Sequence, residues 1–303
     1  EGDGDTATLT ATDLSSFAEI RVQNLKPFTG AGVAEYSKFK QSHGLRAWND
    51  FPCDILPDDF PTINLPQSCE SFPATWIKDA LPCVPFVSTD MTRVALNGVC
   101  LDHEYAVATD GHRLNAAKVQ GYEGSTIIPT HSVKAAGSIK EAPEKVSKCA
   151  GTLAGTLVSY WPWGCYGFQL VEGPYPNYRQ ILVKSVAWTF EVDQKAVKDL
   201  PISKNDQIHW TNGELFISRT GSGILDSTGI KCPLDTKGTL PTGAGTSQLK
   251  ANTFGWNASY FVEMVSVCKG PKVTVSGNTA LQSTVFDWES EGHRIVMPVR
   301  VMG

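Results

Sequence analysis

Asp110 and His112 are the acid and base most able to do chemistry together in this chain. They stand two residues apart in Ala106-Val107-Ala108-Thr109-Asp110-Gly111-His112-Arg113-Leu114. With a serine such as Ser159 they could be drawn as a hydrolytic site. The wider pattern argues against it: there is no Gly-x-Ser-x-Gly nucleophile elbow, no Gly-x-x-x-x-Gly-Lys phosphate cradle and no His-Glu-x-x-His metal pair. Two residues flanking a glycine more naturally shape a turn than a catalytic pair. The eight cysteines (Cys53, Cys69, Cys83, Cys100, Cys149, Cys165, Cys232, Cys268) include no Cys-x-x-Cys pair, which argues against a local zinc site. They read as reduced, mostly buried thiols, because the chain is large and opens without a secretion signal. Neither an enzyme nor a bound cofactor or metal is expected.

The elements that would position these residues are mostly strands. Short helices are predicted at four places. Pro73 suits a first turn, after which Ile77, Ala80 and Leu81 share a face until Pro82. A second helix begins near Thr130 or Ser132 and runs through Val133, Ala136 and Ile139. Asp193 caps a third containing Val197 and Leu200, and Asn257 caps a fourth with Phe261, Met264, Val265 and Cys268 at i, i+3, i+4 and i+7. The rest, rich in Val, Ile, Thr and aromatics and broken by Gly and Pro, reads as strands and hairpins. Residues 8–14 and 18–22 look like neighbouring strands, Val33 to Ser42 like a short helix, and Phe51 to Pro57 like an edge strand.

A weak internal echo runs through the chain. Ile77-Lys78-Asp79-Ala80-Leu81-Pro82 recurs as Val197-Lys198-Asp199-Leu200-Pro201, and the turn signal Asn97-Gly98 as Asn212-Gly213. Two copies of one α+β unit would explain both. At 303 residues there is room for two or three domains, each with its own core. A composition of 41% apolar and 19% charged residues excludes a disordered or fibrous chain. No apolar run is long enough to cross a bilayer, and the start Glu1-Gly2-Asp3-Gly4-Asp5 is unlike a signal peptide, so a cytoplasmic location without membrane contact is expected. The acidic opening without a methionine also suggests a chain that begins partway through a longer gene product or was trimmed. Net charge is −5, which counts against a tight nucleic-acid binder but not against a protein that is basic only where it faces DNA.

The core Ala108-Thr109-Asp110-Gly111-His112-Arg113-Leu114, preceded by Leu96-Asn97-Gly98-Val99, resembles the second-domain signature of the bacterial DNA polymerase III β subunit, the β sliding clamp family. Three more stretches fall in that family's order: Ile127-Ile128-Pro129, Gly173-Pro174-Tyr175-Pro176-Asn177-Tyr178-Arg179, and Ile295-Val296-Met297-Pro298-Val299-Arg300-Val301. The resemblance covers residues 71–303 and reaches the first domain through Leu9-Thr10-Ala11-Thr12-Asp13-Leu14 and Leu56-Pro57-Asp58-Asp59-Phe60-Pro61.

The resemblance implies an α+β DNA-clamp fold, with repeated modules of antiparallel sheet outside and two helices lining the inner face. It implies a partial first domain at 1–70, a second at 71–187 and a third at 188–303. The implied function is that of a processivity factor for DNA replication. Such a homodimer ring encircles duplex DNA without sequence preference and tethers DNA polymerase and clamp-loader subunits through short linear motifs. The partner cleft would involve Leu96, Thr109, Gly111, His112, Arg113, Leu114, Pro176, Ile181, Ser283, Ile295, Val296, Met297, Pro298, Val299 and Arg300. Lys38, Lys40, Lys134, Lys140, Lys195, Lys198 and Lys269 would face DNA as loose phosphate contacts. The first domain is shorter than the family's, Gln180 stands where a basic residue is common, and Ser218 to Lys250 aligns poorly. The shortened domain leaves a second reading open, a non-encircling clamp-like module that recruits or sequesters clamp partners.

Overall fold

The computed structural model describes residues 2–3, 6–23, 69–150, 155–211, 213–219, 225–233, 235–236, 253–278, 282–287 and 292–299. In chain order, β1 (Gly2–Asp3), β2 (Thr6–Thr12), β3 (Ser16–Gln23) and β4 (Cys69–Ser71) precede α1 (Trp76–Ala80). Two 3-10 turns, Leu81–Phe86 and Val94–Asn97, lead to β5 (Gly98–Leu101), β6 (Tyr105–Thr109), β7 (Arg113–Lys118), β8 (Thr126–Pro129) and α2 (Thr130–Gly137). Next come β9 (Lys145–Cys149), β10 (Thr156–Trp161), β11 (Gly164–Gln169) and a 3-10 turn at Tyr178–Gln180. The chain continues through β12 (Trp188–Asp193), α3 (Gln194–Lys198), β13 (Gln207–Thr211), β14 (Glu214–Ser218), β15 (Leu225–Lys231) and β16 (Asp235–Thr236). It closes with β17 (Thr253–Asn257), α4 (Ala258–Val267), β18 (Lys272–Gly277), β19 (Thr284–Phe286) and β20 (Gly292–Val296). The fold is α+β, with antiparallel sheets and few helices. No helix among the described residues is long and apolar enough to cross a membrane.

The chain forms two compact units. The first, Glu1–Lys78 with His131–Gly173, holds one seven-stranded sheet in the order β1-β2-β3-β11-β10-β9-β4. Its core gathers on Trp76, fully buried, whose indole donates to Ser159 Oγ at 3.0 Å and lies 5.5 Å from the Phe168 ring. The second unit, Asp79–Thr130 with Pro174–Gly303, holds a nine-stranded sheet, β16-β12-β18-β19-β20-β7-β6-β5-β8, and a four-stranded one, β15-β14-β13-β17. A run of aromatics fills it: Trp188 stacks on Phe190, Phe190 on Trp210, and Trp256 meets Phe261, which meets Phe286 edge-on. Gly277 makes room for that run, since a Cβ there would lie 2.3 Å from the Trp188 ring.

The helix caps form as the sequence predicts. Asp193 accepts from the Ala196 amide at 2.8 Å and Asn257 from that of Tyr260 at 3.1 Å, each satisfying a donor that the first helical turn leaves free. Phe261, Met264, Val265 and Cys268 are all buried. Residues 8–12 and 18–22 fall on the paired strands β2 and β3, while Asp13 and Leu14, expected in the first strand, lie in the turn between them. Thr211 pairs with Glu214, and Gly213 just before Glu214 has φ +83°, while Asn212 lies outside the described residues. The proposed helix from Val33 to Ser42 and the strand from Phe51 to Pro57 lie outside the described residues.

Three expectations are corrected. Asn97-Gly98 is not a hairpin turn: Asn97 ends a 3-10 turn, and Gly98, at φ −133°, begins β5, where a Cβ would meet the Ile128 carbonyl at 2.6 Å. Glycine is there for the close approach of β8. Leu81 does not share the buried face of α1, because the chain tightens to a 3-10 turn at that residue and leaves it exposed. Finally, Cys69 and Cys149 are disulfide-bonded. They stand directly opposite each other on β4 and β9, a proximity made by strand register that spacing along the chain does not reveal. Of the other described cysteines, Cys83, Cys100, Cys232 and Cys268 are buried free thiols and Cys165 is half-buried.

One turn occurs twice. Thr109 Oγ1 donates to the Arg113 carbonyl and accepts the Gly111 amide, while Asp110 Oδ1 accepts the amides of His112 and Arg113. In the first unit, Thr12 Oγ1 donates to the Ser16 carbonyl and accepts the Leu14 amide, and Asp13 Oδ1 accepts the amides of Ser15 and Ser16. The third residue is left-handed in both, Gly111 at φ +93° and Leu14 at φ +70°. The chain therefore repeats itself at the level of individual hydrogen bonds.

Candidate functional site

The candidate site lies in the second unit, at one end of the nine-stranded sheet. Strand register assembles it. Leu114 on β7 faces Thr109 on β6 and Ile295 on β20, and Ile295 faces Val285 on β19. One step along, Arg113 faces Val296 and Val296 faces Thr284. His112, Met297 and Ser283 are thus the next residues out on three adjacent strands. The Met297 amide donates to the His112 carbonyl at 2.8 Å, so the turn around Gly111 and the final described segment are in direct contact. Ser283 Oγ donates to the Ile181 carbonyl at 3.0 Å, which brings the 3-10 turn at Tyr178–Gln180 to the same place. Beyond Met297 the Val299 amide donates to the Gly255 carbonyl at 2.9 Å, joining the segment to β17 at the edge of the four-stranded sheet.

Burial divides the expected residues into two kinds. Leu114, Ile295 and Val296 are at most 1% exposed, and Leu96 and Thr109 are also buried. They form a floor. The accessible apolar surface comes from Met297 and Ile181, each 37% exposed, with exposed Pro176 and half-buried Pro298 and Val299. Arg300 lies outside the described residues. Gly111 needs its positive φ, and a Cβ there would stand 3.0 Å from Arg93 Nη1.

The His112 ring stacks on Tyr260 of α4 at 5.7 Å. Arg113 is held on all sides: Nε donates to Asp110 Oδ2 at 2.9 Å, Nη2 to the Pro85 carbonyl at 3.0 Å and Nη1 to Glu263. Its guanidinium lies 4.9 Å from the Tyr260 centroid and 5.3 Å from that of Phe86. Tyr260, Glu263, Pro85 and Phe86 were not anticipated. Glu263 is exposed on α4, off the buried Phe261 stripe, but nothing in the sequence says which neighbour it meets.

The segment leading to Ile181 is anchored separately. The Tyr178 hydroxyl donates to Asp102, and Arg179 pairs with Asp102 at 3.1 Å and with Glu104. Burial works against ionisation of Asp102, but the hydrogen bonds from Tyr178 and the Glu104 and Tyr105 amides, with the Arg179 charge, hold its carboxyl below the usual range.

The groups of the imagined hydrolytic site are each committed elsewhere. Asp110 is occupied by its turn and Arg113, His112 lies flat on Tyr260, and Ser159 is fully buried beneath the Trp76 indole.

Of the expected DNA-facing lysines, Lys38 and Lys40 lie outside the described residues. Lys134 on α2 and Lys140 just beyond it are exposed in the first unit. In the second unit Lys195 and Lys198 are exposed on α3 and Lys269 follows α4. Gln194 Nε2 joins those two helices by donating to the carbonyls of Val265 at 3.0 Å and Cys268 at 2.7 Å.

No family model matches the chain, and no curated protein matches it in sequence. Its fold does match solved structures. A DNA polymerase III β subunit sliding clamp from Bartonella birtlesii, bound to griselimycin, superposes with a TM-score of 0.78 at 19% identity over 99% of this chain and 90% of that one. The β subunit from Thermotoga maritima gives 0.76 at 14% identity, again over 99% and 90%. The sliding clamp from Bacillus subtilis gives 0.73 at 16% identity, over 98% and 89%. The chain therefore has the fold of bacterial sliding clamps across nearly its whole length.

Proposed function

We propose that this protein is a DNA sliding clamp, a processivity factor that encircles duplex DNA and tethers a replicative polymerase and other partners. In this reading 1–70 is a shortened first domain, 71–187 a second and 188–303 a third, and the working form is a homodimer ring in the cytoplasm with no catalytic site of its own. The observation that carries it is the contact between Met297 and His112, in a chain with the fold of sliding clamps. That contact holds Met297, and the Ser283 bond holds Ile181, beside a buried floor, and both side chains are accessible. Such a surface suits the Leu and Phe anchors of a short peptide, with Met297 able to adapt to several sequences. Clamp-loader and polymerase subunits bearing such motifs are the expected partners. Exposed Lys195, Lys198 and Lys269 on the α3 and α4 pair, with Lys134 and Lys140, suit loose, salt-sensitive contact with phosphates.

The test is binding of a Gln-Leu-x-Leu-Phe type peptide by fluorescence anisotropy. Met297→Ala combined with Ile181→Ala removes the accessible walls without opening the core. Losing two anchor contacts weakens binding about tenfold, on the order of 1.4 kcal/mol. An unchanged affinity in the double variant contradicts the assignment of the cleft.

A further inference from the structure

Arg113 sits between two carboxylates beside the apolar floor of the site. Its side chain is 11% exposed, and its guanidinium is shared among Asp110, Glu263 and the Pro85 carbonyl while packed against two rings. Asp110 is 16% exposed and both of its oxygens are used, one by the turn amides and one by Arg113. Glu263 is 52% exposed. The three groups carry a net charge of −1, and the member that solvent reaches is the carboxylate. Arg93, on the other side of Gly111, is paired with Asp90 at 3.3 Å and donates to the Asp110 carbonyl, so its charge has a local counterion. Arg113 is therefore a positioning residue that fastens the Gly111 turn to α4. Of these three groups, the charge that a ligand can reach is the negative one on Glu263.

We infer that Glu263 sets the sequence preference of the peptide taken by this site, favouring Lys or Arg beside the apolar anchors and disfavouring Asp or Glu. The inference rests on the reading of the cleft as a peptide site. An exposed ion pair changes affinity by roughly two- to fivefold, and swapping attraction for repulsion widens the ratio to about tenfold at low salt.

The experiment compares peptides sharing one Gln-Leu-x-Leu-Phe core and flanked by Lys, Gln or Glu, with a scrambled core as control, on wild type, Glu263→Gln and Glu263→Lys. Wild type prefers the Lys flank over the Glu flank, high salt narrows the ratio, Glu263→Gln abolishes it and Glu263→Lys reverses it. Equal affinities on wild type, or a preference unchanged in Glu263→Gln, overturn the inference while leaving the peptide site standing. If no core peptide binds better than the scrambled one, the site reading fails and this preference goes with it.

Discussion

His209 shows what a single buried side chain can demand. It is 3% exposed on β13, opposite Phe216 and Gly255, and neither ring nitrogen has a hydrogen-bond partner among the described residues. Burial alone pushes its pKa below the ordinary 6.5, since a charged imidazole there would lose its hydration and gain nothing. The unfolded chain then binds a proton that the folded one refuses. Stability is complete above about pH 6.5 and falls as pH drops below it, by at most about 1.4 kcal/mol per unit for one such group. His293, also held below its ordinary value by burial, adds in the same direction. Urea midpoints from pH 8 to pH 5 should therefore decline more steeply in wild type than in His209→Phe. Parallel declines would contradict the burial argument. The turn at Gly111 was legible at this same scale, because Thr-Asp-Gly-His-Arg carries its own hydrogen-bonding instructions. The saturation of Arg113 was not, because its partners Glu263 and Pro85 come from elements distant in sequence.

At the scale of elements, local signals were read well and strand register was not. Caps at Asp193 and Asn257 depend on a side chain and an amide three residues away, so sequence suffices. The bond between Cys69 and Cys149 depends on β4 lying beside β9 across 80 residues of chain, and nothing local announces it. It also corrects the expectation of reduced thiols for that pair. Closing a loop of that length removes entropy from the unfolded chain worth about 4 to 5 kcal/mol, an upper value because the unfolded state is not a random coil. Reduction should lower the unfolding midpoint of wild type and leave Cys69→Ser unmoved, and intact mass under non-reducing, alkylating conditions should show the pair blocked. A midpoint insensitive to reductant would mean that β4 is held without the bond. The Asn97-Gly98 error has a related cause: the pair has the composition of a hairpin turn, but β8 approaches so closely that glycine is needed for room.

At the scale of the whole molecule, the Thr-Asp turn is used twice and the chain matches the fold of solved sliding clamps over 99% of its length. The proposed ring is the consequence of the sliding-clamp reading that matters most, and the first domain, proposed as shortened, is where that reading is most exposed to failure. Size-exclusion chromatography with light scattering asks whether two copies associate, because a lone species of the chain's own mass, 32.8 kDa, at micromolar concentration excludes a closed dimer. Topological retention on DNA asks the question more directly. Protein should stay with nicked circular duplex through a high-salt wash and be lost when the same DNA is linearised, because a ring can leave only by sliding off an end. Equal loss from circular and linear DNA, with peptide binding intact, would contradict encirclement and leave a clamp-shaped binding module in its place.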